Sequence, residues 1–257
     1  MGRFDWLEIE KEKGKIPDEK KNERIYDENY YMQVAERSYR EGDYEGSLKF
    51  YARALGCNPN LEEAWLGQVK CLTDLDELNE AKTWVDKAIE KFPQSADLPA
   101  AKSVIFAKMF EIDKAMFLSD KVIVKKNPSK FVWLCRGFVL LCSNSSNASH
   151  CLSKTLEGNP QDWFWNLRIG ICYLDCRKFP EAQSYLERAA KGNAGNPLIW
   201  YKMGRCFEGL VFTDRAKFYY RKALGLKPVF KNEVLEALNK IKKTGLLEKI
   251  KRLFTRE

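Results

Sequence analysis

The sequence predicts an all-α fold in which antiparallel helix pairs stack one after another as an α-solenoid. The clearest pair lies between Pro197 and Pro228. Its first helix face is formed by residues at helical spacing, Trp200, Met203, Gly204 and Phe207. After a short break the spacing recurs in a second face, Ala216, Tyr220, Ala223 and Leu224. Two further stretches end at Pro59 and Pro93, which are 34 residues apart, so the pair is a repeated unit.

Small residues in this unit predict close packing of its two helices. Gly204 and Ala216 leave room for a close approach, and Trp200, Phe207 and Tyr220 fill the space around them. This order of aromatic, glycine, aromatic, alanine, aromatic, alanine and proline resembles the tetratricopeptide repeat (TPR). The resemblance implies a right-handed superhelical α-solenoid of about six repeats with a C-terminal capping helix.

The chain divides by composition into three predicted segments. Residues 1–27 are dense in Lys and Glu and are predicted to be a charged flexible segment, except for an apolar cluster between Phe4 and Ile9. Residues 28–228 form the TPR-like repeat array. Residues 229–257 are predicted to be amphipathic capping helices, because a terminal repeat otherwise exposes an apolar side to solvent.

Two places in the array depart from the pattern. Between Pro93 and Pro128 the third repeat is predicted to be degenerate, because Pro99 stands where the leading aromatic residue belongs and no glycine follows. The fifth repeat, with Gly170 and Tyr173, is predicted to end in an unusually long linker at residues 192–196.

The residues that carry most enzyme chemistry are scarce, so no catalytic residue, cofactor or enzymatic activity is predicted. The single histidine, His150, stands beside Cys151 with no nucleophile and acid at a spacing typical of a catalytic triad. The sequence contains neither a dinucleotide-binding glycine motif nor a phosphate-binding loop.

Eight cysteines raise the alternative of a zinc site or a redox protein. No pair of cysteines is separated by two residues, as zinc sites usually require. Cys71, Cys172 and Cys206 recur at one position of the repeat, where a small buried side chain is expected. We therefore predict packing and no metal. The N-terminus lacks the apolar core of a signal peptide and no long apolar run exists, so a cytoplasmic location without a membrane span is expected.

A second apolar row on two first helices predicts a peptide-binding groove. By analogy with the family, positions beside the core stripe look into the concave side of the solenoid. In the fourth and fifth repeats these positions are apolar, namely Phe131, Leu134, Phe138, Leu141, Phe164, Leu167, Ile171 and Leu174. In the sixth repeat they are more polar and are predicted to form the rim, namely Tyr201, Arg205 and Glu208. In the first two repeats they are Met32, Glu36, Tyr39, Leu66, Lys70 and Thr73.

This pattern predicts a non-enzymatic protein–protein interaction scaffold that binds an apolar or amphipathic peptide. Tight superhelical curvature, in which these side chains pack against each other, is the alternative. TPR proteins that clamp acidic chaperone tails carry Lys, Asn and Arg where this chain has Leu134, Phe138, Leu167 and Ile171, so such a clamp is not expected. The Phe4–Ile9 segment is itself a candidate ligand, by self-docking or by exchange within a dimer.

The C-terminal helices support a second functional hypothesis. They carry a group of basic residues, Lys240, Lys242, Lys243, Lys249, Lys251, Arg252 and Arg256. A basic amphipathic segment can associate with nucleic acid or with an anionic surface. The apolar side of the same segment is equally what a solenoid cap buries, so a nucleic-acid partner is the less favoured of the two.

Overall fold

The structure is a computed structural model that describes the backbone of residues 27–254 and the side chains of residues 27–243. Thirteen α-helices lie in this part of the chain. The chain divides into two compact units, residues 1–148 and 149–257. The predicted Phe4–Ile9 segment lies outside the described residues.

The first unit contains seven helices and the start of an eighth. They are α1 (Glu28–Glu41), α2 (Tyr44–Cys57), α3 (Glu62–Asp74), α4 (Leu78–Lys91), α5 (Asp97–Lys108), α6 (Ile112–Ile123) and α7 (Lys130–Cys142). Consecutive helices pack against each other, and α1, α3, α5 and α7 also pack each against the next in that series. First helices therefore form one layer of the unit and second helices the other.

The short helix α8 (Ala148–Thr155) crosses the boundary between the units. The second unit continues with α9 (Trp163–Asp175), α10 (Phe179–Gly192), α11 (Pro197–Gly209), α12 (Thr213–Gly225) and α13 (Lys231–Phe254). Here too consecutive helices pack from α9 onward, and α9 packs against α11. The predicted all-α arrangement of helix pairs stacked in sequence is confirmed.

One turn recurs between the two helices of every repeat. A residue in the left-handed backbone region follows the end of each first helix. The six residues are spaced 34 positions apart, except for one interval of 33, and are Gly42, Asp76, Phe110, Asn144, Arg177 and Val211. The next N–H then donates to the carbonyl five residues earlier, as from Asp43 to Ser38 and from Phe212 to Phe207, at 2.9 Å. This hydrogen bond closes a Schellman motif and reverses the chain.

The third repeat is more regular than its sequence indicated. Its two helices are joined by the same turn at Phe110, and Glu111 N–H donates to the carbonyl of Phe106 at 2.9 Å. Pro99 lies in the first turn of α5, where a backbone N–H has no partner within the helix to lose. Proline at that place therefore costs little, and the hairpin forms without the leading aromatic residue.

The prediction of a long linker at residues 192–196 was wrong. Helix α10 continues to Gly192, and only four residues separate it from α11. A Cβ atom built on Gly192 would lie 2.7 Å from Trp163 Cβ. This glycine therefore permits a close contact with the start of α9 and does not break the helix.

The same hydrogen bond recurs at the start of three first helices, although the residue that donates it differs. The indole N–H groups of Trp65 and Trp200 donate to carbonyls six residues earlier, those of Pro59 and Ala194, at 3.0 and 2.8 Å. In the fifth repeat Asn166 occupies this position, and its side-chain amide donates to the carbonyl of Pro160 at 3.0 Å. The asparagine thus anchors the preceding linker as the tryptophan does.

Candidate peptide-binding site

The predicted groove residues of α7 lie largely inside the first unit. Leu134, Phe138 and Leu141 are 4–5% exposed. Phe131 is half-buried and packs against a cluster that α5 and α6 share with α7, which includes Ala100 and Val122. Helix α7 is apolar on nearly all sides because neighbouring side chains cover most of it, as expected for such a helix.

The equivalent residues of α9 are also buried. Leu167 is fully buried, and Phe164, Ile171 and Leu174 are 6–9% exposed. The structure therefore leaves little surface on seven of the eight predicted groove residues. Phe131 is the exception and is partly exposed.

Next to Phe131 the first unit presents a surface on which cationic and aromatic groups meet. The Lys70 ammonium of α3 lies 4.5 Å from the ring centre of Tyr39 and 6.0 Å from that of Phe131. Such distances favour a cation–π attraction. Side chains of the first, second and fourth repeats thus converge within the first unit, and Met32 and Leu66 are half-buried on the same helices.

Glu36 gives this surface its negative group. Burial by itself would raise the pKa of Glu36, but the nearby Lys70 ammonium and the hydrogen bonds from Arg40 and Tyr51 outweigh burial, so the pKa lies below its usual value. Tyr51 Oη donates to the Glu36 carboxylate at 3.0 Å. Tyr39 Oη donates to the Asp74 carboxylate at 2.6 Å. The lowered pKa favours the ionised form of Glu36 beside the rings, so the surface carries both signs of charge.

The predicted rim residues come together in the second unit, but they also contact the capping helix. Arg205 donates a hydrogen bond to Tyr201, and Tyr220 Oη donates to Glu208 at 2.6 Å. Lys240 of α13 lies 3.6 Å from Glu208, and the ring of Phe230 lies 5.5 Å from that of Tyr201. These residues therefore connect the last repeat to its cap as well as forming a polar edge.

The cysteines that recur in the repeat are core residues. Cys71 and Cys206 are fully buried. Burial raises the pKa of the Cys71 thiol to about 12 and that of Cys206 to about 11, so both stay protonated at neutral pH. The Cys206 thiol lies 3.2 Å from the carbonyl of Phe179, which ties α11 to the start of α10. Among the described side chains, no three His, Cys, Asp or Glu residues are grouped so as to hold a metal ion.

Two features were not predicted from the sequence. The approach of Lys70 to Phe131 joins residues 61 positions apart, and no local spacing indicates it. The charge is also unevenly divided between the units, since residues 149–257 contain 21 Lys and Arg against 11 Asp and Glu, whereas residues 1–148 contain 23 against 25. A count by segment reveals this second feature from sequence alone.

No helix in the described part of the chain combines the length and apolar character needed to cross a membrane. This agrees with the absence of a long apolar run in the sequence.

Comparison with known proteins places the chain in a family. Two tetratricopeptide-repeat profiles match it, over residues 38–105 and 198–230. No curated protein matches the sequence. The matches fall on the first repeats and on the sixth, where the spacing of aromatic and small residues is most regular.

Solved structures share its fold at low sequence identity. A tetratricopeptide repeat protein from Parabacteroides merdae is 15% identical, with a TM-score of 0.54 and coverage of 84% of both chains. The human IFIT1 dimer with PPP-AAAA is 14% identical, with a TM-score of 0.60; the match covers 83% of this chain and 53% of that one. YrrB, a TPR protein with an unusual peptide-binding site, is 19% identical, with a TM-score of 0.42 and coverage of 73% and 96%.

Each repeat turns through the same left-handed residue and hydrogen bond, and the matched profiles fall on these helix pairs. The chain is a tetratricopeptide repeat protein, with six helix pairs followed by a capping helix.

Proposed function

We propose that the chain is a non-enzymatic scaffold that binds an apolar or amphipathic peptide on the inner side of its first helices. TPR proteins are generally protein-interaction scaffolds, which supports a protein partner. The observation that carries the proposal is the convergence of Lys70, Tyr39 and Phe131 within 6.0 Å in the first unit. An aromatic side chain beside both a cation and an anion suits a segment with apolar anchors and flanking charges.

The burial of Leu134, Phe138 and Leu141 limits what a peptide can contact. These residues pack in the core between helices. We therefore assign peptide binding to Phe131, Leu66 and Lys70, the predicted groove-side residues that are partly exposed. In the second unit the proposed contacts are Arg205, which is exposed, and Glu208, which is half-buried, because Tyr201 is only 7% exposed. Introducing a charge at Phe138 or Leu167 would therefore disrupt the core and would not report on binding.

The test is selection of peptides from a displayed library on the immobilised chain, followed by measurement of Kd by fluorescence anisotropy. We expect the selected peptides to carry apolar anchors. Phe131→Glu and Leu66→Glu should each weaken binding by about tenfold or more, as the loss of a hot-spot contact does. Phe117→Glu is the matched control, because Phe117 belongs to the same unit and is 62% exposed on α6.

Circular dichroism and thermal unfolding establish that each variant is folded before binding is compared. Equal affinity of Phe131→Glu, Leu66→Glu and the folded wild type would refute the proposed surface. Selection of purely acidic peptides would instead indicate a charge clamp.

The Phe4–Ile9 segment is a proposed internal ligand of this surface. Deleting residues 1–12 should lower the thermal unfolding midpoint if the segment docks on its own chain, and should change the oligomer size if it docks on a second copy. A variant unchanged in both measurements would remove the segment from consideration.

The basic C-terminal helices remain the basis of the second hypothesis, association with nucleic acid or an anionic surface. The excess of basic over acidic residues in residues 149–257 favours it. An affinity that falls steeply with salt would support it, and no binding at low salt would exclude it.

A further inference from the structure

The outward side of α12 carries a row of exposed apolar and basic side chains. Val211 at the turn is 79% exposed and Phe218 is 59% exposed, and between and beyond them lie exposed Arg215, Arg221 and Lys222. Their separations of three and four residues place them along one side of the helix. The opposite side holds Ala216, Tyr220 and Ala223, all fully buried. These five exposed residues are called the α12 surface below.

Core packing does not require a phenylalanine at this position of the repeat. Seven residues after the turn, three other repeats have Lys49, Thr83 and Ser184 where the sixth has Phe218. All of these positions lie on second helices with the same turn before them. The exposed ring of Phe218 is therefore not needed for α12 to pack in the repeat.

The third repeat also has a phenylalanine at this position, Phe117, but its surroundings differ in charge. Asp113 lies four residues before Phe117 and Asp120 lies three residues after it, each next to a lysine. Around Phe218 the equivalent sites are Asp214 and Arg221, and Asp214 lies 3.2 Å from the Lys217 ammonium. The inference is therefore confined to α12.

Basic residues dominate the chain around the α12 surface. Between Val211 and Lys231 there is one acidic residue and there are six basic ones, Arg215, Lys217, Arg221, Lys222, Lys227 and Lys231. The Arg215 guanidinium lies 5.5 Å from the ring centre of Phe212, which is 54% exposed. A cationic group thus lies beside an exposed ring. Such an arrangement suits the boundary between water and an apolar phase, where the ring enters the apolar side and the charge stays in water.

We propose that the α12 surface binds anionic lipid bilayers. Val211, Phe218 and the neighbouring Phe212 enter the headgroup region, and Arg215 and Arg221 contact lipid phosphate and carboxylate groups. The Lys222 ammonium lies 3.4 Å from the ring centre of Trp200 and adds positive charge from that position. Charge complementarity identifies the partner, because the surface is basic and the lipid headgroups are acidic. This binding lies on second-helix residues and is separate from the proposed peptide surface.

Single-stranded nucleic acid is the other anionic macromolecule that binds basic and aromatic residues together. It is bound in grooves where successive bases stack on aromatic rings. The exposed apolar residues here include Val211 and Val229, at 79% and 75% exposure, which have no aromatic face on which a base can stack. Exposed aliphatic side chains in the turns before and after α12 are suited to lipid, so we favour the bilayer.

The experiment is co-sedimentation of the full-length chain with two kinds of vesicle, phosphatidylcholine alone and phosphatidylcholine with about one third phosphatidylserine. We expect at least about tenfold tighter binding to the anionic vesicles, since each basic residue near such a surface contributes to attraction. Phe218→Ser and Arg221→Glu should each reduce that binding about tenfold. Arg188→Glu, an exposed arginine of α10 in the preceding repeat, is the matched control and should change it less than about twofold.

A fourth variant, Phe218→Leu, separates lipid from nucleic acid. Leucine keeps the apolar side chain and removes the stacking face, so binding to vesicles should persist. Equal binding of the wild type to both kinds of vesicle, or no binding to either, would overturn the proposal. So would an Arg188→Glu effect as large as that of Arg221→Glu. Tighter binding to a single-stranded oligonucleotide that Phe218→Leu abolishes would assign the surface to nucleic acid.

Discussion

Gly204 is a residue whose absent side chain decides the packing of two helices. A Cβ atom at this position would lie 2.4 Å from the ring of Tyr220. That ring is fully buried, and its hydroxyl donates to Glu208 at 2.6 Å, so it is held from both ends. The close approach of α11 and α12 therefore depends on glycine, as the sequence pattern predicted.

Gly204→Ala should lower the free energy of unfolding by about 1–3 kcal/mol, because the new methyl group must displace the Tyr220 ring or separate the helices. Urea unfolding followed by tryptophan fluorescence measures the change. Gly56→Ala is the control, since nothing lies within 4 Å of a Cβ built there. In α2 that substitution should gain up to about 1 kcal/mol from helix propensity. An equal gain in both variants would show that helix propensity, and not the Tyr220 contact, governs position 204.

Val211 has a strained backbone conformation. Its φ of 65° places a β-branched residue in the left-handed backbone region, where side-chain and backbone atoms crowd each other. In the first repeat the same position is Gly42, with φ of 87°. The exposed valine therefore costs stability that a glycine would not.

Val211→Gly should raise the free energy of unfolding by about 1 kcal/mol, the cost of the left-handed conformation for a residue with a side chain. Thermal and urea unfolding both report it. Gly42→Ala should change stability in the opposite direction by a similar amount. Because Val211 also belongs to the α12 surface, its replacement should weaken vesicle binding while stabilising the fold. A destabilised Val211→Gly would contradict the assigned strain.

At the scale of elements, α13 completes the last repeat. Val234, Leu238 and Ile241 are buried at 0–7% exposure, at the spacing of one helix face. The ring of Phe230, just before the helix, lies 5.5 Å from that of Tyr201. The helix covers the apolar side that the sixth repeat would otherwise expose, which is the role expected of a solenoid cap.

Two leucines of α13 test this docking because they differ mainly in burial. Leu238→Ala should cost about 2–4 kcal/mol, the usual loss for a buried leucine, since Leu238 is 7% exposed. Leu235→Ala, at 37% exposure on the same helix, should cost less than about 1 kcal/mol. Urea unfolding of both variants measures the difference. Similar losses would mean that α13 does not dock through its Val234 and Leu238 side.

At the scale of the whole molecule, charge is distributed unevenly along the chain. The formal net charge of +8 arises entirely after residue 148, since residues 1–148 contain two more acidic than basic residues. Repeat arrays are built from units that contact only their neighbours, so such an array can change its surface chemistry along its length without changing its fold. The proposed peptide contacts around Phe131 lie in the first unit, and the α12 surface lies in the more basic second unit.

The sequence alone determined the architecture of this protein. Helical spacing, paired small and aromatic residues and a 34-residue period are local properties, and each repeat needs only them to form its hairpin. The third repeat is the exception, because its Schellman turn at Phe110 is a backbone feature that its side chains do not reveal.

Only the tertiary structure decided which apolar residues are accessible. Phe131 and Phe138 stand at equivalent spacing on α7, yet the first is half-buried and the second 5% exposed. Accessibility depends on how closely the repeats approach each other, and residues far apart in sequence, such as Lys70 and Phe131, contact each other there. Periodicity identifies the face of a helix, whereas packing between helices decides whether that face is open to a partner.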